Sequence, residues 1–394
     1  MDKRLSIVTL ATIFPSCKDP SHGVFIYQRT AHLALQPGVQ LTVVVPVPYL
    51  PGWLKVKKWG KYEQAPVEKI GELTVLRPRY FHLPKVWMPL HGLFMFLGCI
   101  SVLRKLQTQR SIDVIDSHFV YPEGFASVLL GKLLRCRVAV SARGTDINVY
   151  PTFALIRPLV CWTLKKADLV VAVSKALKEN MTGLGIAESK IKVVPNGVDI
   201  SRFQPEDRGE ARRRLGMSEI GKLVISVGAL IAGKGHDIVI GAIAELVRKI
   251  PNLQLCILGA GPVRQNLETL IRQLGLAERV RLVGRQRNED LRYWFSAADV
   301  SCLASEREGW PNVITESLAC GTPVVATKVG GIPEILYSEE LGILTERSVA
   351  GFASGISTAL QRDWDRAGIA AKVRERTWDV VASEIRGLLE FDGS

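Results

Sequence analysis

The sequence has few of the features that would stabilise a small secreted fold. Its seven cysteines, at positions 17, 99, 136, 161, 256, 302 and 320, are odd in number, widely scattered and never spaced Cys-x-x-Cys. This argues against a disulfide framework and a zinc site, and for a reducing compartment. Long apolar runs are also missing. The most apolar stretch, Leu93 to Leu103, is about half the ~20 residues a membrane-spanning helix needs. Met1 to Leu10 runs straight into a strand-like segment, without the longer apolar region and small-residue cleavage site of a signal peptide. The basic first half has no continuous run of Lys and Arg, and no recognisable nucleic-acid-binding module is present. The expectation is a cytoplasmic protein that neither spans a membrane nor binds nucleic acid.

The residues present describe a folded globular chain. Its 394 residues suit two domains of ordinary size, and 47% hydrophobic against 23% charged residues rules out a disordered polymer. The mean hydropathy of +0.15 is high for a freely soluble enzyme and hints at membrane contact. Residues 1–200 carry 26 Lys and Arg against 13 Asp and Glu, whereas 201–394 carry 25 of each. The whole net charge of +13 therefore lies in the first half, which suits an anionic partner such as a membrane surface or a phosphorylated substrate.

Short apolar runs alternate with helical patterns, the mark of a parallel α/β sheet. Strand-like segments in the first half are 5–10, 41–46, 114–116, 138–141, 169–173 and 192–194. The pattern restarts with 223–227, 253–258, 280–283, 300–303 and 323–326. Turn chemistry at Pro195-Asn196-Gly197-Val198-Asp199, followed by a polar stretch, places a hinge near 196–206. The division expected is a Rossmann-like domain over 1–198, a second over 199–365 and C-terminal helices over 366–394 that pack back on the first. Two doubly wound sheets of this kind would face each other across a cleft at their carboxyl ends.

Several loops carry candidate chemistry. After 223–227 comes Gly228-Ala229-Leu230-Ile231-Ala232-Gly233-Lys234-Gly235, which offers backbone N–H groups and an ammonium to phosphate oxygens. It lacks the glycine spacing of a Walker A loop, and a solvated turn is an equal alternative. Gly259-Ala260-Gly261-Pro262 is a second tight turn, where Gly261 permits close backbone approach. The most specific segment is Glu308-Gly309-Trp310-Pro311-Asn312-Val313-Ile314-Thr315-Glu316, with Pro311 as the first residue of a helix. Free N–H groups near Asn312 and Val313 would hold a diphosphate, while Glu308 and Glu316 would accept hydrogen bonds from sugar hydroxyls. Turns at 320–323 and 329–334 belong to the same sheet edge. In the first half His118 follows one strand and Arg143-Gly144-Thr145-Asp146 the next, and 15–23 is a loop suited to an acceptor.

Together these motifs resemble the retaining, glycogen-synthase-like glycosyltransferases of family four, which have the GT-B fold. The likeness runs over nearly the whole chain and includes Gly23, His118, 143–146, Ser174, 196–199, Lys234-Gly235, 259–262, Ala298-Asp299, 308–316, 321–325 and 330–334. It implies transfer of a hexose from a UDP- or GDP-sugar with retention of configuration and no cofactor or metal. No Asp-x-Asp stands where a metal-bridged diphosphate would need one. The resemblance implies His118, Arg143, Asp146, Lys234 and Glu308 as catalytic residues. Donor contacts would come from Gly23, Gly228, Lys234, Gly261, Arg285, Glu308, Gly309, Trp310, Pro311, Asn312, Val313 and Glu316, with Glu316 on the ribose, Lys234 on the leaving diphosphate, and His118 and Asp146 lining the sugar side.

Two positions depart from the family pattern. Ala229 stands where the family usually has Arg, and Arg143 where it commonly has His. The expectation is that Arg143 supplies the missing diphosphate contact. The interleaved aromatics and lysines of 49–62, and the apolar 80–105 with its basic ends, suit peripheral contact with the inner face of an anionic membrane, where a lipid-linked or growing cell-surface glycan would be the acceptor; for 93–103 a buried core helix is the alternative. A nucleotide-sugar epimerase of the same architecture and a catalytically silent sugar-binding subunit remain the rival readings.

Overall fold

The computed structural model describes residues 4–50, 65–83 and 87–390. Most of the basic–aromatic stretch expected at the membrane, 51–62, lies outside them. The chain divides into two compact units, one of Met1–Gly197 with Trp378–Ser394 and one of Val198–Thr377.

Among the described residues ten strands belong to the first unit. They are β1 (Leu5–Leu10), β2 (Val39–Val44), β3 (Val47–Tyr49), β4 (Val67–Ile70), β5 (Leu73–Leu76), β6 (Arg79–Phe81), β7 (Val114–His118), β8 (Arg137–Ala142), β9 (Leu169–Ala172) and β10 (Ile191–Val193). Eight form one sheet in the order β10-β9-β8-β7-β1-β2-β5-β4, and β3 pairs with β6 apart from it. The central strands are buried on both faces, which is why they read as continuous apolar runs. One pairing departs from the expected parallel sheet: β4 runs antiparallel to β5. Only Gly71 and Glu72 separate the two strands, and a two-residue turn with Gly71 at φ +57° can join only antiparallel neighbours.

Helix His91–Gln109 covers one face of this sheet. Met95, Cys99 and Leu103 point inward to Val8, Leu10, Ile115 and Leu130, so part of this segment is the core helix given above as the alternative. With the turn before it, Met88–Gln109 is 22 residues, long and apolar enough by length and composition to cross a membrane. That is longer than the apolar run alone implied.

The second unit holds β11 (Lys222–Val227), β12 (Leu253–Leu258), β13 (Val280–Gly284), β14 (Val300–Leu303), β15 (Val324–Thr327) and β16 (Gly342–Thr345), all parallel, in the order β13-β12-β11-β14-β15-β16. The C-terminal boundary differs from the expected 365. Helix Arg366–Arg374 stays with the second unit: Arg366 donates to the Ala298 carbonyl at 2.9 Å and to Thr322 Oγ1 at 2.5 Å, and Ile369 and Val373 are buried in that unit's core. Only helix Trp378–Glu390 joins the first unit. Its apolar stripe of Trp378, Val381, Ala382, Ile385 and Leu389 packs on Ile7, Leu33, Val114, Ala139 and Val171.

Candidate functional site

In each sheet the chain starts at a central strand, fills one side and then crosses to the other. The reversal falls between β11 and β14 in the second unit and between β1 and β7 in the first. Ligands of open α/β sheets bind outside the carboxyl ends of the strands at this point.

In the second unit the loops leaving β11 and β14 meet there. Lys234 Nζ lies 2.5 Å from Glu308 Oε1, which also accepts from Ser305 Oγ at 2.6 Å. Glycines make the approach possible. A side chain at Gly235 would put its Cβ 2.2 Å from the Ala304 carbonyl, and one at Gly330 would stand 1.9 Å from the Glu308 carbonyl. Gly259 packs against the Gly228 carbonyl, and Gly261 against Leu230. The close approach expected of Gly261 toward a ligand is therefore one toward its own neighbouring loop.

Helix Asn312–Ala319 begins one residue later than expected, with Pro311 as its cap. The first N–H groups of the helix have no carbonyl one turn back, so Asn312 and Val313 present donors at its positive end. Gly309 is buried behind them, and Trp310 packs on the core with its indole N–H buried and unpartnered. Glu316 sits one turn in. Burial pushes its carboxyl up to about 7, with Arg202 lowering it and Asp199 raising it. Arg285 follows Gly284 at the end of edge strand β13 and is exposed. Sequence reading missed His236, which is buried between Ser226 Oγ at 3.0 Å and the Ala229 carbonyl at 3.3 Å and so fixes the Lys234 loop. Among the described residues no three His, Cys, Asp or Glu side chains cluster as metal ligands would. A cleft of about 640 Å³ beside β12 and β13, lined by Arg279 and Arg281, includes none of these donor-side residues.

In the first unit Gly23 caps helix Val24–Ala34 at φ +74°, and a Cβ there would lie 2.7 Å from the Ile13 carbonyl. His118 and Asp146 are both closed from solvent, which differs from side chains lining an open sugar pocket. Asp146 accepts from the main-chain N–H of Val120 at 2.9 Å, Gly144 at 2.8 Å and Arg143 at 3.1 Å, so its carboxylate builds two turns. His118 Nδ1 faces Arg143 Nη2 at 2.5 Å, and Arg143 Nη1 donates to Asn196 at 3.0 Å. Behind them Asp116 pairs with Arg29 at 2.7 Å. Burial, then Arg143 and Arg29, push the His118 ring down to about 3. A neutral imidazole that accepts at Nδ1 holds the guanidinium in place rather than moving protons near neutral pH. Glu123 and Thr12, also missed in the sequence, meet between the loops leaving β1 and β7.

A basic side chain, a carboxylate and a helix N-terminus gathered at the reversal point of a parallel sheet define a nucleotide-binding α/β protein. Residues 33–202 match the model of Glycosyltransferase Family 4, and 207–376 that of Glycosyl transferases group 1. A putative teichuronic acid biosynthesis glycosyltransferase of Bacillus subtilis is 29% identical over 371 residues, covering 90% of this chain and 88% of that one. Among solved structures, sucrose-phosphate synthase from Thermosynechococcus elongatus aligns with a TM-score of 0.78 at 19% identity, over 98% of both chains. An Anabaena protein crystallised with UDP-glucose aligns at 0.73 and 21% identity, over 98% of this chain and 100% of that one. The chain belongs to the family-four glycosyltransferases, and its two Rossmann-like sheets are those of the GT-B fold.

Proposed function

We propose that the protein transfers a hexose from a UDP- or GDP-sugar, with retention of configuration, to a lipid-linked or growing cell-surface glycan. The observation that carries this is the Lys234–Glu308 pair beside the N-terminus of helix Asn312–Ala319. A diphosphate carries more charge than one carboxylate, so it draws the Lys234 ammonium away from Glu308. The leaving diphosphate is then met by that ammonium and the helix N–H groups, without a metal. Glu308, released, accepts from a sugar hydroxyl, and Glu316 from the ribose. A further cation for the reaction is expected of Arg143, which His118 and Asn196 hold in place within the first unit.

The acceptor reading is supported by the name of the Bacillus subtilis relative and by the exposed side of helix His91–Gln109. There Leu93 and Leu97 are 39% and 55% exposed, with Arg104 and Lys105 exposed further along. Apolar side chains flanked by cations suit peripheral contact with anionic lipid.

The test is thermal unfolding with UDP-, GDP- and ADP-sugars. A bound donor at a hundred times its Kd stabilises the fold by about 2.7 kcal/mol. A shift with one class that is absent in Glu316→Ala supports the site; no shift with any of the three, or one unchanged in the variant, overturns it.

A further inference from the structure

His118 and Arg143 meet at the carboxyl end of the first sheet, and the carboxylate behind them has no part in the proposed reaction. Asp116 and His118 stand two residues apart on β7, so both side chains leave the same face. Ser141 on β8 stands opposite His118, and Arg29 reaches this face from helix Val24–Ala34. Arg29, Asp116 and His118 are all closed from solvent. Arg29 donates to Asp116 Oδ1 at 2.7 Å and to Ser141 Oγ at 2.6 Å. The other carboxylate oxygen, Oδ2, lies 3.5 Å from His118 Nε2, and neither of these two buried atoms has another partner. The second ring nitrogen, Nδ1, faces the Arg143 guanidinium at 2.5 Å. Four side chains thus follow one another from Arg29 through Asp116 and His118 to Arg143.

We infer that Asp116 is a positioning residue for the transfer: it sets the His118 tautomer whose Nδ1 lone pair holds the Arg143 guanidinium. The inference rests on the reading of Arg143 as a cation of the reaction, but its first measurement needs neither donor nor acceptor. Both neighbours of the ring demand the same placement of its proton. A guanidinium has only donors, so Nδ1 presents its lone pair to Arg143. A carboxylate has only acceptors, so Nε2 carries the proton and turns it toward Asp116. Asp116 is ionised, because burial raises its carboxyl but Arg29, then His118 and Arg143, together hold it below the usual range. An amide in its place reverses the demand. In Asp116→Asn the carbonyl oxygen stays on Arg29, which offers only donors, so the NH2 group turns toward Nε2. Nε2 must then accept, the ring proton moves to Nδ1, and two donors confront each other where Arg143 is held. The exchange keeps size and shape while it inverts the tautomer.

The measurement is nitrogen NMR of isotope-labelled histidine rings, which separates a protonated ring nitrogen from one with a free lone pair. His118→Gln identifies the His118 signals among the six histidines by their loss. The native protein is expected to show His118 protonated at Nε2 and bare at Nδ1, and the opposite tautomer overturns the inference. This native spectrum decides the point even where Asp116→Asn, which leaves Arg29 buried beside a neutral group, fails to fold. In folded Asp116→Asn the two signals should exchange character, and an unchanged tautomer overturns the inference. Turnover of that variant should fall about tenfold or more while the thermal shift given by the donor is kept. Native turnover with an inverted tautomer would remove Asp116 from the reaction. In an Arg143→Ala background Asp116→Asn should cost nothing more, because it acts through Arg143; a full further loss there overturns the inference. Near-normal activity of Arg143→Ala alone removes Arg143 from the reaction but leaves the tautomer result standing, so the two readings fail separately.

Discussion

Lys234 Nζ and Glu308 Oε1 neutralise each other at 2.5 Å, and in the proposed function a bound donor separates them. Lys234→Ala is expected to lower turnover by about 100-fold or more with a smaller effect on nucleotide affinity, because its charge matters most as the diphosphate leaves. Arg143→Ala should likewise lower turnover by orders of magnitude while the nucleotide still binds; near-normal activity would remove Arg143 from the mechanism. Glu316 gives a pH signature. Its folded-state value is raised to about 7 from 4.5, so the stability it contributes is complete below about 4.5 and is lost as the pH rises through about 7. Glu316→Gln should flatten that decline in urea unfolding measured across this range. In the opposite sense, a nucleotide whose ribose needs the carboxylate binds more tightly as pH rises through about 7. Titration of nucleotide affinity against pH checks this, and an identical slope in Glu316→Gln contradicts it.

Among the elements, the glycine contacts set how tightly the loops can approach. Gly330→Ala would place a methyl 1.9 Å from the Glu308 carbonyl at φ +53°, so both backbone strain and a clash oppose it. A stability loss of about 1–3 kcal/mol and weaker donor binding are expected, measurable by urea unfolding and calorimetry. On helix His91–Gln109, replacing Leu93 and Leu97 with Asp touches exposed positions. The change should leave folding intact but reduce co-sedimentation with anionic liposomes, and unchanged co-sedimentation would argue against that face. These elements also show what the sequence made legible. Leu253–Leu258 was readable to the residue because a strand buried on both faces is almost wholly apolar, with Gln254 the one polar residue in it. Val67–Ile70 was not: a short edge strand with charges at Glu68 and Lys69 looks like a loop until its partner Leu73–Leu76 is known. The Glu308–Glu316 segment was legible because its chemistry is contiguous. Glu123 was hidden because its partner Thr12 is 111 residues away, and a carboxylate beside a proline otherwise reads as surface.

For the whole molecule, the last helix ties stability to the C-terminal end of the described chain. Trp378 is 4% exposed and packs with Val381 and Ile385 on the first unit's sheet, so Trp378→Ala should cost about 3–5 kcal/mol in urea unfolding of that unit. The chain passes from the first unit to the second at Gly197–Val198 and returns at Thr377–Trp378. At this crossing Val198 bridges Thr377 in parallel, and its N–H donates to the Arg376 carbonyl at 2.9 Å. The second unit is thus a domain inserted into the first, with its entry and exit stitched together. Residues 198–377 should therefore be excisable as a self-contained module whose ends are already paired, whereas a cut at residue 200 that discards everything beyond it would strip the first unit of its closing helix and leave it unable to fold.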